Sequence, residues 1–398
     1  MPRRVYLDHA ATAPLRSEVR AAVEAWLAQA EGAGNPASLH WAGRAAREAL
    51  ERGRAQVAAL FAPAGGGGAG GGGGDVEVVF TSGGTEANHL ALRGLAPLLP
   101  ASRASVAVAA VEHSSVLAAA RALAREGVRV ETVPVDAAGL PDLDALRAAL
   151  GRGAGLVSVA AGNNETGNAM PVAQVAVLCR SAGALFHADA VQAAGWVEVG
   201  LGGDAAAGPD ALTVSAHKLG GLPGTGALAL RRGLRLRALL DGGDQERGAR
   251  AGTPALAGIV AFGEAARLAA AERAEAAPRV TALRRRLEEG VRARVPGTTV
   301  HGHPERRLPH IANFGFEGAE GDMILLNLDL DGVAASAGSA CVAGRTEPSH
   351  VLLAMGLSPE QARGAVRMSL GRATHGGDVD RVLEVLPDIV ARVRAAGT

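Results

Sequence analysis

"ALTVSAHKLGGLPGTGALAL", residues 211–230, sets one lysine, Lys218, between two apolar runs and just before a cluster of glycines. Short apolar runs bounded by glycine and proline read as buried β-strands. Ser215, His217 and Thr225 flank the amine. Three readings of such a lysine compete: a solvated residue at a strand end, a phosphate-loop lysine, or an amine that forms a Schiff base. A phosphate-loop lysine belongs to the pattern GxxxxGK[ST], which the residues around Lys218 do not form.

Similar runs recur at 76–80, 105–111, 128–133, 155–160 and 184–188, making seven strands with those at 211–215 and 226–230. Between most of them lie amphipathic stretches such as "EANHLALRGLA" and "PVAQVAVLCRSAG". The alternation predicts an α/β domain with a mainly parallel seven-stranded sheet covered on both faces. Ligands of such sheets bind at the carboxyl ends of the strands.

Four polar clusters fall at those ends: "TSGGTEAN" (81–88), "NNETG" (163–167), "HADAVQ" (187–192) and the Lys218 turn. The small residues of the first let backbone N–H groups approach an anion, and Thr85 adds a hydroxyl. Taken alone, Thr85 reads equally well as a helix cap, and Asp189 of the third reads more readily as a turn residue. Together, a phosphate site, a carboxylate, an amide pair and a lysine suit pyridoxal 5'-phosphate. Its ring nitrogen needs a carboxylate to stay protonated, and its aldehyde needs an amine.

Beyond residue 253 the pattern changes to long helical stretches. In the last of them Val379, Val382, Leu383, Leu386, Val390 and Val393 share one helical face, which predicts packing against a core. Pro387 is expected to kink that helix or divide it in two. The organisation predicted is a large cofactor-binding domain over 15–260 and a smaller α+β domain built from 1–14 and 261–398. The run "AGGGGAGGGGG" (64–74) reads as a flexible surface loop, having no side chains to pack.

Composition narrows the function classes. Of 398 residues 48% are hydrophobic and 20% charged, as in globular proteins; Lys+Arg and Asp+Glu both number 40. A chain without net charge gives no electrostatic argument for nucleic acid or an anionic membrane as a partner. No signal-peptide core or long apolar span is visible, so a cytoplasmic location is the expectation. With only Cys179 and Cys341, neither a disulfide framework nor a four-thiolate metal site can form, and no metal is expected.

The motifs "YLDHAATAP" (6–14), "GNPASLH" (34–40), "VFTSGGTEAN" (79–88), "VEHSSV" (111–116), "NNETG", "HADAVQ", "SAHK" (215–218), "QERGARAGT" (245–253), "SAGSAC" (336–341) and "VRMSLGR" (366–372) follow one another in an order and spacing that resembles the cysteine desulfurases. These are fold-type I pyridoxal-phosphate enzymes of the class V aminotransferase superfamily. The resemblance runs from about residue 6 to about residue 390. The stretch from Cys341 through "EPSH" is similar to the branch with a long cysteine loop, which feeds iron–sulfur assembly and tRNA thiolation.

The resemblance implies that Lys218 is the Schiff-base lysine and Asp189 the pyridinium partner. It implies that His113 stacks on the cofactor ring and shuttles protons, with Asn164 and Gln192 near the phenolic oxygen. Gly84, Thr85, Ser215 and His217 would hold the phosphate, helped by Thr253 from the other subunit of a homodimer. Asn35 and Arg367 would grip the carboxylate of L-cysteine; a planar guanidinium suits that role because it binds bidentately. Cys341 would attack the substrate sulfur as a thiolate, leaving alanine and a persulfide for a sulfur-acceptor protein. Cys179, inside an apolar helical stretch, is expected in the core.

Three departures from the family pattern are visible. "GGLPGTG" replaces the usual Gly-Pro-Lys-Gly turn after Lys218 and loses a positive charge, "ATAP" replaces Ala-Thr-Thr-Pro, and the poly-glycine run is extra. A selenocysteine lyase or another class V aminotransferase-type enzyme is the nearest alternative. A non-catalytic sulfur-relay scaffold is disfavoured because both Lys218 and Cys341 are present.

Overall fold

The computed structural model describes residues 4–29, 34–61, 76–202, 208–337 and 347–396. The poly-glycine run and Cys341 lie outside the described residues. Twelve strands are assigned among these residues: β1 (Val5–Tyr6), β2 (Val76–Thr81), β3 (Ser105–Ala109), β4 (Arg129–Val133), β5 (Ala154–Ser158), β6 (Leu185–Asp189), β7 (Ala211–Ser215), β8 (Gly226–Arg231), β9 (Thr298–Val300), β10 (Ile311–Phe316), β11 (Val333–Ala334) and β12 (Ala365–Ser369).

Seven of them form the central sheet in the order β2-β8-β7-β6-β5-β3-β4. Pairings from β4 through β7 are parallel, while β8 runs antiparallel to both β7 and β2. The inner strands are buried on both faces, and their side chains alternate between two cores. Val106 and Val108 of β3, with Leu228 and Leu230 of β8, pack under the helices Gly84–Leu95 and Ser114–Arg125. Ala107 and Ala109, with Ala227 and Ala229, join the opposite core. That core is capped by the helices Trp41–Ala59, Leu143–Gly151 and Val172–Ala182, and Cys179 is buried in it as expected.

A further core gathers Val5, Leu7, Phe314, Phe316, Val366 and Met368 with the last helix, Gly376–Ala396. Its antiparallel sheet has the order β12-β10-β9, and the pair β1-β11 is parallel. The helix Leu256–Arg294 joins the cores; its 39 residues span about 58 Å at roughly 1.5 Å per residue. Ile259, Phe262 and Ala266 face the sheet core that holds Cys179, whereas Val280, Leu287 and Val291 face the core of the last helix.

Pro387 does not divide the last helix, which runs unbroken from Gly376 to Ala396. A proline at 387 removes the hydrogen bond that its N–H would have given the Leu383 carbonyl four residues back. Arg294 Nη1 supplies that donor instead, at 2.8 Å from the Leu383 oxygen.

Candidate active site

Five strands of the central sheet, β2, β3, β5, β6 and β7, deliver polar residues to the edge where their carboxyl ends lie. A 3-10 turn, Ala216–Lys218, follows β7 directly and lifts the lysine off the sheet. Lys218 Nζ donates to the carbonyls of Ala10 and Ala11, both at 2.6 Å. The N-terminal arm is itself tied down there: Ala13 N–H donates to the His217 carbonyl, and His217 Nδ1 lies 3.1 Å from Thr12 Oγ1. Gly220 permits this approach, because its φ is +84° and a Cβ would stand 2.5 Å from Arg16 Cγ. Burial, with the charge of Lys218 beside it, pushes the His217 imidazole down to about 4.

Asp189 ends β6 as a buried carboxylate. Its Oδ1 accepts from the Val191 N–H at 2.9 Å and its Oδ2 from Asn88 Nδ2 at 2.7 Å. The same amide donates to Ser115 Oγ at 2.9 Å, and Ser115 Oγ lies 2.7 Å from His113 Nδ1. A polar chain therefore runs from His113 through Ser115 and Asn88 to Asp189. The Ser115 N–H also donates to His113 Nδ1, which puts the proton of the neutral ring on Nε2. Next to His113, Glu112 is fully buried; its Oε1 accepts from the Ala160 N–H at 2.5 Å. Burial, and then the charge of Asp189, push that carboxyl up to about 8.

The helix Gly84–Leu95 opens on this edge with Gly83 as its N-cap and, among the described residues, no side chain satisfying its first N–H groups. Gly226 of β8 packs so closely that a Cβ there would be 2.5 Å from the Gly83 carbonyl carbon. At Gly84 a Cβ would lie 3.1 Å from Val191 Cγ2 and 3.7 Å from Ser215 Cβ, so the helix start and the end of β7 adjoin. Thr85 is exposed on the first turn.

On the opposite side Arg367 of β12 is buried, donating to Asp8 Oδ1 and to the Asn164 carbonyl, each at 2.9 Å. Its neighbour Glu165 is also buried; burial raises its carboxyl, and Ser349 Oγ, donating at 2.5 Å, partly offsets this. Gln192 Nε2 donates to the Ala10 carbonyl at 2.8 Å, so Gln192 and Lys218 share one acceptor. Asn35 and Thr253 are exposed, and Asn35 Oδ1 accepts from the Ala37 N–H; no contact among the described residues brings either to this cluster. Cys341 lies outside the described residues.

These residues fit pyridoxal phosphate. A buried carboxylate at a strand end suits a protonated ring nitrogen, an uncapped helix N-terminus beside Ser215 suits a phosphate, and Lys218 lies on the same edge. Asn88 Oδ1, Glu112 Oε2 and Arg367 Nε are buried without a partner among the described residues, as befits groups around a polar ligand site. Asn88, Glu112 and Asp8 were not singled out from the sequence, although each lies inside a motif that was. Their signal was a polar residue at the start of a helix or between apolar neighbours, which many surface residues share.

The family model described as Aminotransferase class-V matches residues 5–382. A cysteine desulfurase of Cereibacter sphaeroides is 46% identical over 393 residues, covering 98% of this chain and 97% of that protein. Cysteine desulfurase 2 of Trichormus variabilis is 42% identical over 391 residues, covering 98% and 94%. Among solved structures, one described as a NifS-like protein superposes with a TM-score of 0.87 at 30% identity, covering 98% of this chain and 100% of that one.

Proposed function

The chain belongs to the class-V aminotransferase family and, within it, to the cysteine desulfurases; from that membership we propose that it converts L-cysteine to L-alanine and passes the sulfur to an acceptor protein through a persulfide on Cys341. One observation in the structure carries the reading. The arm at Asp8–Ala11 meets the amine of Lys218 through two carbonyls and the guanidinium of Arg367 through Asp8. The two groups that an α-amino acid must engage, one for its nitrogen and one for its carboxylate, therefore converge on four consecutive residues.

Lys218 would hold pyridoxal phosphate through its amine, Asp189 through the ring nitrogen, and His113 against the ring, with Asn164 and Gln192 at the phenolic edge. Gly84, Thr85, Ser215 and His217 would take the phosphate, joined by Thr253 from a second copy of the chain in a homodimer. When bound, the cofactor supplies an electron sink for the pair released at the amino acid's α-carbon. Lys218 Nζ takes the α-proton, and the Ala10 and Ala11 carbonyls then stabilise the ammonium. Arg367 orients the substrate by its carboxylate.

Cys341 attacks the substrate sulfur as a thiolate. An S–S bond forms as the Cβ–S bond breaks, and the electron pair stays with the three-carbon fragment, which takes up protons and leaves as alanine. A free thiol has a pKa of about 8.5, so a proton acceptor raises the reactive fraction. His113 would serve as that acceptor only after a tautomer shift, because Ser115 engages Nδ1 and the neutral ring carries its proton on Nε2. The names of the relatives support L-cysteine over selenocysteine as the substrate.

The test follows alanine and sulfide together from L-cysteine and a reductant, for the parent and for Cys341→Ser. Equal amounts of both from the parent, and neither from the variant, are expected. A cofactor-loaded parent that forms no alanine would sink the desulfurase reading.

A further inference from the structure

The ion pair between Arg367 and Asp8 is lopsided. The Arg367 side chain is 1% exposed and that of Asp8 21%, so the carboxylate stands on the open side of the pair. Arg367 Nη2 is given to Asp8 and Nη1 to the Asn164 carbonyl, while Nε is buried without a partner among the described residues. The Asp8 carboxylate makes no other hydrogen bond to the described residues. Its main chain is fixed, because the Asp8 carbonyl accepts from the N–H groups of Ala11 and Thr12. The side chain can therefore swing away without unmaking the turn that seats Lys218.

A buried guanidinium is costly without a counter-charge, which gives Asp8 a reason to be there. A second carboxylate brought beside Asp8 would be repelled by the first. We propose that Asp8 is the resting counter-ion of Arg367 and that the substrate's carboxylate exchanges with it instead of adding to it. The inference rests on Arg367 being the partner of the substrate carboxylate. Exchange keeps the buried charge balanced before and after binding, and it makes Asp8 a competitor whose strength sets the substrate affinity. A thiol amine without a carboxylate cannot displace Asp8, so Asp8 also selects for amino acids.

Steady-state alanine formation by the holoenzyme, parent against Asp8→Asn, tests this. Removing the internal competitor is expected to lower KM for L-cysteine about tenfold, equal to about 1.4 kcal/mol. A KM that rises or stays level overturns the exchange. A melting experiment on the Asp8→Ala holoenzyme gives a second readout, of whether a free carboxylate can take the place of Asp8 on Arg367. The variant is expected to melt lower than the parent and to be raised specifically by acetate over chloride at equal ionic strength, because acetate supplies the missing carboxylate to Arg367. The absence of an acetate-specific rise overturns the proposal. If the parent itself makes no alanine, the desulfurase reading fails, and the acetate comparison still decides whether Arg367 accepts a carboxylate in place of Asp8.

Discussion

Glu112 is a carboxyl that the fold keeps from ionising: it is fully buried, one oxygen has no partner among the described residues, and its pKa is pushed up to about 8. An acid with a raised folded pKa stays protonated in the native state after the unfolded chain has lost its proton. Stability therefore falls with rising pH between about 4.3 and that folded value, at up to roughly 1.4 kcal/mol per pH unit for this group. Glu112→Gln keeps an oxygen for the Ala160 N–H and removes the titration. Its melting temperature relative to the parent is expected to rise steadily from pH 5 to pH 8; a constant difference across that range would show that Glu112 is ionised throughout. Single residues were unevenly legible in the sequence. Lys218 and Asp189 could be picked out because each ends an apolar run. Asp8 could not, because its partner Arg367 lies 359 residues away and only folding brings them together.

Elements were legible wherever their own residues decide them. All seven central strands lie where short apolar runs predict; the inner ones are buried on both faces and need no partner to reveal their pattern, while the edge strand β4 is partly exposed. The last helix shows where local reading fails. Its apolar face was visible, but the hydrogen bond that carries it through Pro387 comes from Arg294 on another helix. This yields a double-mutant cycle. Arg294→Met is expected to cost about 1–2 kcal/mol in urea unfolding, because the Leu383 carbonyl loses its donor. In the Pro387→Ala background the restored N–H serves that carbonyl, and the same substitution is expected to cost little. Equal costs in the two backgrounds would show that Arg294 acts through packing alone.

At the scale of the whole molecule, the helix Leu256–Arg294 ties two of the three cores, the one that holds Cys179 and the one of the last helix, into one mechanical unit, since it supplies buried side chains to both. Its 39 residues looked in the sequence like a long helical stretch, but the change of partner core along its length depends on strands far away in the chain. The N-terminal arm closes the circuit, with Leu7 in the second core and Ala10 and Ala11 against Lys218. Imidazoles buried neutral are spread through this unit. His187 within the sheet, His9 on the arm and His217 beside the lysine are all pushed down to about 4, mainly by burial. A histidine with a lowered folded pKa contributes stability that is present above about 6.5 and lost as pH falls towards the folded value. His187 and His9 each add a slope of roughly 1.4 kcal/mol per pH unit in that window, and His217 adds less because solvent screens it. Glu112 and Glu165 act in the opposite sense, but His301 and His310, also pushed down by burial, join the three imidazoles. The protein is therefore expected to lose stability steeply between pH 6 and pH 4, with the two cores unfolding together because one helix spans both. Chemical denaturation at several pH values checks this, and two separate transitions, or a flat profile down to pH 4, would contradict it.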